Sequence, residues 1–401
     1  MDLELARRLA QPATSKIILC VLDGLGGLPK HETLRSELEA ADITNLERLA
    51  RRSEVGLTTP VGLGITPGSG PGHLALFGYD PLAYDIGRGV LEAVGIDFDL
   101  GPNDVAARGN FCTLDAAGNI SDRRAGRVAT ETSTRLVERL RAGVRIPGVE
   151  IFVEPVREHR FVLVLRGEGL GDGVSTTDPQ HTGVPPLPAE ALDPVSAQTA
   201  QVVNEFVRQA HELLKDETQA NGLMLRGFAK YPTLPQFPEI WGVRAAALAV
   251  YPMYRGLAKL AGMEVLLCPG GLPDQIQQIR AHWDEFDYFF VHYKKTDAAG
   301  EDGNFEAKVH ALHEFDGFVP DLLSLGADVF MVAGDHSTPA LMAAHSWHPV
   351  PFLLSSSLCR EGNAEGFNEQ ECLKGSLGIF PAKEVMPLAM AHAGRLAKYG
   401  A

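Results

Sequence analysis

Polar residues able to hold metal ions stand just beyond apolar segments of strand length. The run Ile17–Leu22 leads straight into Asp23-Gly24, and the run 288–292 is followed by Asp297 and, four residues on, Glu301. The run Val329–Ala333 enters Gly334-Asp335-His336, while 350–354 is preceded by Ala344-His345-Ser346-Trp347-His348-Pro349. In open parallel sheets ligands bind outside the carboxyl ends of the strands, so side chains distant in sequence can converge there. Three aspartates, one glutamate and two or three histidines offer oxygen and nitrogen donors for two divalent ions. Singly, each piece reads more readily as a turn or a capping acid than as a ligand. Their repeated placement at strand ends is what points to a metal site.

The segment 59–72 is rich in glycine and proline and includes Thr66-Pro67-Gly68-Ser69-Gly70-Pro71-Gly72, with His73 next. Such a stretch is either a flexible linker or a tightly shaped loop, and its polar side chains favour the loop. Glycine lets backbone amides approach an anion closely. A serine hydroxyl is a weak nucleophile, and metal coordination is one way to activate it. Ser69 is therefore the candidate nucleophile; a glycine-rich turn with an incidental serine is the alternative.

The elements that must position these groups alternate between strand-like apolar runs and helix-period segments, the pattern of an α/β fold. Thr44 and Glu47 read as a capping box opening a helix. Phe305, Val309, Leu312, Phe315 and Val319 recur every three to four residues, a helix that Pro320 is expected to kink or shorten. His310 and His313 on it read as structural. Between 97 and 188 the texture changes to short β-like runs such as 160–165, the cluster Asp122-Arg123-Arg124-Ala125-Gly126-Arg127 and a Gly/Asp-rich loop. This predicts a domain at 97–188 inserted into a main domain of 1–96 and 189–401, with a helix near 194–216 returning the chain to the main domain.

The charge balance excludes other classes. With 36 basic and 51 acidic residues the net charge is −15, which lacks the basic footprint of nucleic-acid binding and argues against adsorption to anionic membranes. Five scattered cysteines without a CxxC pair indicate neither a zinc knuckle nor a disulfide framework. The polar N-terminus lacks a signal-peptide core, and no apolar run reaches the ~18–20 residues of a membrane span. A soluble, cytoplasmic protein with neither nucleic-acid nor membrane partner is the expectation, with self-association into an oligomer left open.

The order Asp23-Gly24, Pro67-Gly68-Ser69 with His73-Leu74, Thr296-Asp297-x-x-Gly300, Gly334-Asp335-His336-Ser337-Thr338 and Ala344-His345-Ser346-x-x-Pro349-Val350-Pro351 resembles the cofactor-independent (2,3-bisphosphoglycerate-independent) phosphoglycerate mutases. It is most similar to their archaeal-type branch, also found in bacteria, within the alkaline phosphatase superfamily. The resemblance spans nearly the whole chain, including Leu74-Ala75-Leu76-Phe77-Gly78-Tyr79-Asp80-Pro81, Gly87-Arg88-Gly89 and Gly167-Glu168-Gly169-Leu170. It implies an alkaline-phosphatase-like, mostly parallel sheet flanked by helices, with a smaller inserted α/β domain. It also implies two metal ions, one held by Asp23, Ser69, Asp335 and His336. The other would take Asp297, residue 301 and His345, with His345 rather than His348 at the family position. Many relatives carry histidine where this chain has Glu301, although a carboxylate remains a competent ligand. Mn²⁺ is the expected metal, with Mg²⁺, Co²⁺ or Zn²⁺ as alternatives.

The implied reaction interconverts 3-phosphoglycerate and 2-phosphoglycerate without bisphosphoglycerate. Ser69 would attack phosphorus to form a phosphoserine, and the retained glycerate would recapture the phosphoryl group through its other hydroxyl. Arginine forks suit the substrate's carboxylate and phosphate. Arg123, Arg124 and Arg127 are the first candidates, with Arg88 and Arg226 behind them and His73 and Asp122 completing the substrate-side set. For any single arginine the alternative is a solvated basic patch. The rival function is a metal-dependent phosphatase, phosphodiesterase or phosphonate hydrolase of the same superfamily, in which water replaces glycerate. A metal-binding protein without catalysis would have no need of Ser69.

Overall fold

Continuous apolar runs, rather than alternating ones, are what strands buried on both faces require. In the computed structural model, which describes residues 1–84, 86–360 and 362–400, β1 spans Ile17–Leu22, β2 Glu54–Thr59, β3 Asp104–Leu114 and β4 Ile120–Asp122. β5 is Glu150–Arg157, β6 Arg160–Arg166, β7 Gly222–Ala229, β8 Ala245–Leu248 and β9 Glu264–Val265. β10 (Tyr288–Tyr293), β11 (Val329–Ala333), β12 (Val350–Ser356) and β13 (Gly378–Pro381) follow. All residues of β1, β10 and β11 are buried.

Eight strands form one sheet in the order β13-β2-β12-β11-β1-β10-β8-β9. The stretch β11-β1-β10-β8 is parallel, with Cys20 level with Val291 on one side and Val332 on the other. β12 runs antiparallel to both β11 and β2. This reversal explains the placement of a ligand upstream of a strand. The carboxyl ends of β1, β10 and β11 lie side by side, and the start of β12 reaches the same end because its direction is opposite. Ser346 N–H donates to the Ser337 carbonyl at 2.9 Å and ties the segment before β12 to the one after β11.

The helix Phe305–Leu323 covers one face, burying Ala311, Leu312, Phe315, Val319 and Leu322 in a core shared with Ile18, Phe289 and Val291. Each large apolar side chain buried in this way contributes roughly 1.5–3 kcal/mol. Pro320 lies inside its last turn and the helix continues to Leu323; the Asp316 carbonyl, which the missing N–H would have served, accepts from Asn45 Nδ2 at 3.1 Å instead. The Thr44–Glu47 capping box does not form. The helix Thr44–Ala50 has Ile43 at its N-cap, and the orphan N–H groups of Asn45 and Leu46 donate to the Asp316 carboxylate at 3.1 and 2.8 Å. A capping box occurs one helix earlier, where Ser36 and Glu39 open Glu37–Ala40.

The chain divides into two compact units: Met1–Asp85, Leu234–Val250 and Ala258–Ala401 form the first, Ile86–Thr233 and Tyr251–Leu257 the second. The second carries β4-β3-β6-β5, with β7 also paired to β3. It is wider than the 97–188 expected from sequence. β7 pairs antiparallel with β3, setting Arg108 opposite Arg226, and the helix Ala197–Leu214 buries Val203, Phe206, Ala210 and Leu214 in this unit's own core. The helix expected to lead back to the first unit therefore belongs to the second, because the free edge of the long β3 needs β7 as a partner.

Candidate metal centre and anion site

Asp23 emerges from β1 fully buried. Its Oδ2 takes hydrogen bonds from His292 Nε2 (3.0 Å) and Lys294 Nζ (3.1 Å). Its Oδ1 is buried, accepts no hydrogen bond, and lies 3.4 Å from His336 Nε2. Burial pushes this carboxyl upward, but Lys294, His292 and His336 outweigh it and hold the group well below the ordinary carboxylate range. Asp335 and His336 follow β11, both buried, with Asp335 Oδ2 3.1 Å from His336 Nε2. Asp335 Oδ1 takes the Gly24 N–H at 3.1 Å. Gly24 has φ +67°, and a Cβ there would lie 2.5 Å from Thr338 Oγ1, so this crossing of the two loops requires glycine.

Ser69 is the first residue of the helix Ser69–Leu76, where free N–H groups and the helix dipole favour negative charge. Its Oγ lies 3.2 Å from His336 Nε2. Gly72, one turn on, passes the Asp335 carbonyl so closely that a Cβ would stand 2.1 Å from its oxygen. On the other side of His336, Nδ1 lies 2.9 Å from Thr338 Oγ1, which donates to Asp297 Oδ1 at 2.7 Å. With Thr338 donating to Asp297, His336 Nδ1–H is the donor to Thr338 and Nε2 keeps its lone pair. Burial pushes the His336 pKa down, which favours this neutral ligand form.

Asp297 and Glu301 lie on the helix Lys295–Glu301, so their four-residue spacing puts both on one face. His345 stacks on His336 at a ring-centroid distance of 3.6 Å and its Nδ1 bonds the Pro67 carbonyl oxygen at 2.9 Å. Its Nε2 lies 3.5 Å from Asp297 Oδ1 and 3.8 Å from Glu301 Oε1. Among the described residues, Asp23, Asp335 and His336 bring ligand atoms within 4.8 Å of one another, as do Asp297, His336 and His345. Buried oxygen and imidazole donors, two carboxylate oxygens of them (Asp23 Oδ1 and Asp335 Oδ2) accepting no hydrogen bond, fit divalent cations.

His73, expected on the substrate side, is instead fully buried beneath the site. Its Nδ1 lies 2.8 Å from the Ser69 carbonyl oxygen and 3.1 Å from Asp335 Oδ2. Burial lowers its pKa, but Asp335 outweighs it and the net direction is upward.

In the second unit, Arg123 makes a bidentate pair with Asp178 at 3.1 and 2.7 Å, and Arg226 approaches the same carboxylate at 3.9 Å. Asp122 is occupied by the backbone, accepting the Arg124 and Gly126 N–H groups at 2.8 and 2.6 Å. Arg127 is exposed. Burial and the neighbouring Arg88 lower the Arg226 pKa to about 10, and burial together with Arg160 lowers that of Arg108 strongly. The Nε atoms of Arg108, Arg160 and Arg226 are buried without a hydrogen-bond partner. Arg108 Nε faces Glu92 Oε1 at 3.5 Å, and the cluster, half-buried apart from Arg108, still gathers positive charge that suits a multiply charged anion.

A family model described as 2,3-bisphosphoglycerate-independent phosphoglycerate mutase matches residues 50–220. A Thermus thermophilus protein named "probable 2,3-bisphosphoglycerate-independent phosphoglycerate mutase" is 52% identical over 406 residues, covering 100% of both chains. This chain belongs to that family. The solved structure of a Pyrococcus horikoshii protein covers 96% of this chain and 99% of its own at 29% identity, with a TM-score of 0.81. The cofactor-independent phosphoglycerate mutase from Thermoplasma acidophilum matches 94% of this chain and 100% of its own at 30% identity, with a TM-score of 0.64. Among the described residues no helix is long and apolar enough to cross a membrane, and all five cysteines are free thiols.

Of the residues singled out from sequence, Asp23, Ser69, Asp297, Asp335, His336 and His345 come together, with Glu301 further out at the rim of the second group. Arg88, Arg123 and Arg226 share the second unit's cationic cluster. Lys294, Thr338, His292, Lys308, Asp178, Arg108 and Arg160 were missed. Thr338 and His292 lay in recognised motifs but had no chemistry of their own to mark them. Lys308 is wholly buried on the helix Phe305–Leu323, where Nζ donates to the carbonyls of Gly26 (2.9 Å) and Thr338 (2.8 Å), clipping together the loops that follow β1 and β11.

The rim position of Glu301 yields a specific expectation. A carboxylate in place of imidazole adds charge and a hard oxygen donor, favouring Mn²⁺ or Mg²⁺. Glu301→His should shift preference toward Zn²⁺ or Co²⁺ by about tenfold in relative affinity, of the order seen for changes around metal sites. Competition titrations of the two proteins with Mn²⁺ and Zn²⁺ measure this; an unchanged ratio would remove Glu301 from the ligand set.

Proposed function

We propose that the protein interconverts 3-phosphoglycerate and 2-phosphoglycerate through a phosphoserine on Ser69, with two divalent ions and without bisphosphoglycerate. The observation that carries this reading is the meeting of Ser69 Oγ with His336 Nε2 at 3.2 Å beside Asp23 Oδ1 and Asp335 Oδ2. Asp23, Ser69, Asp335 and His336 would hold one ion; Asp297, Glu301 and His345 would hold the other. Bound there, divalent cations supply Lewis-acid stabilisation of the attacking and leaving oxygens of an in-line phosphoryl transfer.

The chain's own residues do the rest. Ser69, at a helix start, gives up its hydroxyl proton and forms the bond to phosphorus as the substrate's C3 oxygen–phosphorus bond breaks, and the released C3 oxygen takes up a proton, so that none is gained or lost overall. The reverse step at the C2 oxygen regenerates the free hydroxyl and gives 2-phosphoglycerate. His73 holds the Ser69 carbonyl and Asp335 together and so positions the nucleophile against the acids. Arg88, Arg123 and Arg226, joined by Arg108 and Arg160, bind the substrate's anionic groups, a cluster that retains glycerate between transfers. The activity belongs to central carbon metabolism and needs no membrane.

Purified protein given 3-phosphoglycerate should form 2-phosphoglycerate with Mn²⁺ and lose this activity on chelation. Release of inorganic phosphate as the main product would instead identify the superfamily's hydrolase reaction. Within the cationic cluster, Arg226→Ala and Arg123→Ala should raise KM by about tenfold or more, since a charge-assisted hydrogen bond contributes roughly 1.5–3 kcal/mol. The exposed Arg127→Ala should have the smaller effect. Steady-state kinetics with all three proteins tests this order, and normal constants in Arg226→Ala and Arg123→Ala would make the cluster mere surface charge.

A further inference from the structure

Lys294 lies among the acids of the proposed metal centre, yet the proposed reaction gives it no task. Its Nζ lies 3.1 Å from Asp23 Oδ2 and also donates to Asp297 Oδ2, so one ammonium joins a carboxylate from each of the two ligand groups. Both carboxylates are buried, whereas the lysine side chain is 20% exposed. Both also have other anchors. Asp23 Oδ2 is held by His292 at 3.0 Å, and Asp297 Oδ1 by Thr338 at 2.7 Å. Lys294 is therefore dispensable for aiming these carboxylates but not for balancing their charge.

Three buried aspartates, 23, 297 and 335, repel one another in a medium that screens poorly. An ammonium between two of them offsets that repulsion in the metal-free protein. A divalent ion arriving at the same carboxylates meets this fixed positive charge at short range. We propose that Lys294 is a built-in stand-in cation, which stabilises the metal-free centre and competes with divalent ions for Asp23 and Asp297. It would thereby set how tightly the ions are held. This inference rests on the two-metal reading above.

The test compares the full-length wild type with K294M and the charge-preserving K294R, using Mn²⁺ titration calorimetry and melting temperatures in chelator and in Mn²⁺. K294M should bind Mn²⁺ about tenfold more tightly, equivalent to ~1.4 kcal/mol. It should melt below the wild type in chelator, with a larger Mn²⁺-induced rise, while K294R should behave as wild type. Weaker or unchanged Mn²⁺ binding in K294M, or equal destabilisation with and without Mn²⁺, would overturn the proposal. If K294M does not fold, K294Q gives the same comparison. Absence of Mn²⁺ binding by the wild type would overturn the two-metal reading itself, an outcome distinct from an unchanged affinity in the variant.

Discussion

Ser69→Ala should abolish interconversion of the phosphoglycerates while leaving the fold and most metal affinity in place. The hydroxyl is the atom proposed to carry the phosphoryl group, and loss of a covalent nucleophile costs at least about 10³-fold in kcat. The variant should fold because alanine is a good residue for the first turn of a helix and the contact it removes is the 3.2 Å approach of Ser69 Oγ to His336 Nε2. Gly68 at the N-cap and the flanking glycines, which let this backbone approach Asp335, are untouched. Two readouts decide the matter. Mass spectrometry of wild type quenched during turnover should find a phosphoryl adduct on Ser69, and the alanine variant should show none. Retention of more than about a tenth of wild-type turnover in the variant would exclude the serine as nucleophile, since a bypass by water or another side chain does not reach such rates.

His336→Ala is expected to have the second large effect, on metal stoichiometry as well as on rate. Nε2 faces Ser69, Asp23 and Asp335, while Nδ1 leans on Thr338 and through it on Asp297. With Nδ1 engaged in that bond, the ring serves the Asp23 group directly and the Asp297 group only by positioning it. The variant should therefore bind one Mn²⁺ where the wild type binds two, with turnover reduced by about 10³-fold or more, as expected when transition-state charge loses a metal ion. The remaining ion should also bind less well, because His345 loses its stacked neighbour and Thr338 its donor. Metal analysis of dialysed protein, together with kinetics, measures both. Two ions per chain with near-normal turnover would remove His336 from the centre.

The sequence alone determined a good deal of this protein. Short uninterrupted apolar runs such as Ile17–Leu22 and Val329–Ala333, closed by glycine, read as strands buried on both faces, and acids directly after them then fall at strand ends whatever the wider topology. Local chemistry of this kind depends on neighbours a few residues away. The tertiary structure decided what long-range contacts decide. The direction of β12, which delivers His345 to the shared end, follows from its pairing with β2 and β11. The edge of β3 claims β7 and the helix before it for the second unit, against the break in texture near residue 188. Asp316 satisfies a helix start that Thr44 and Glu47 matched only as a pattern. His73 turns inward because four residues along a helix from Ser69 is the buried side of that turn, where Asp335 waits for a donor. Lys294 and Lys308 carry charge that composition counts but does not place. Only the folded chain brings those ammonium groups to the carboxylates and carbonyls around the candidate metal centre, because Asp23 lies 271 residues from Lys294 and Gly26 282 residues from Lys308.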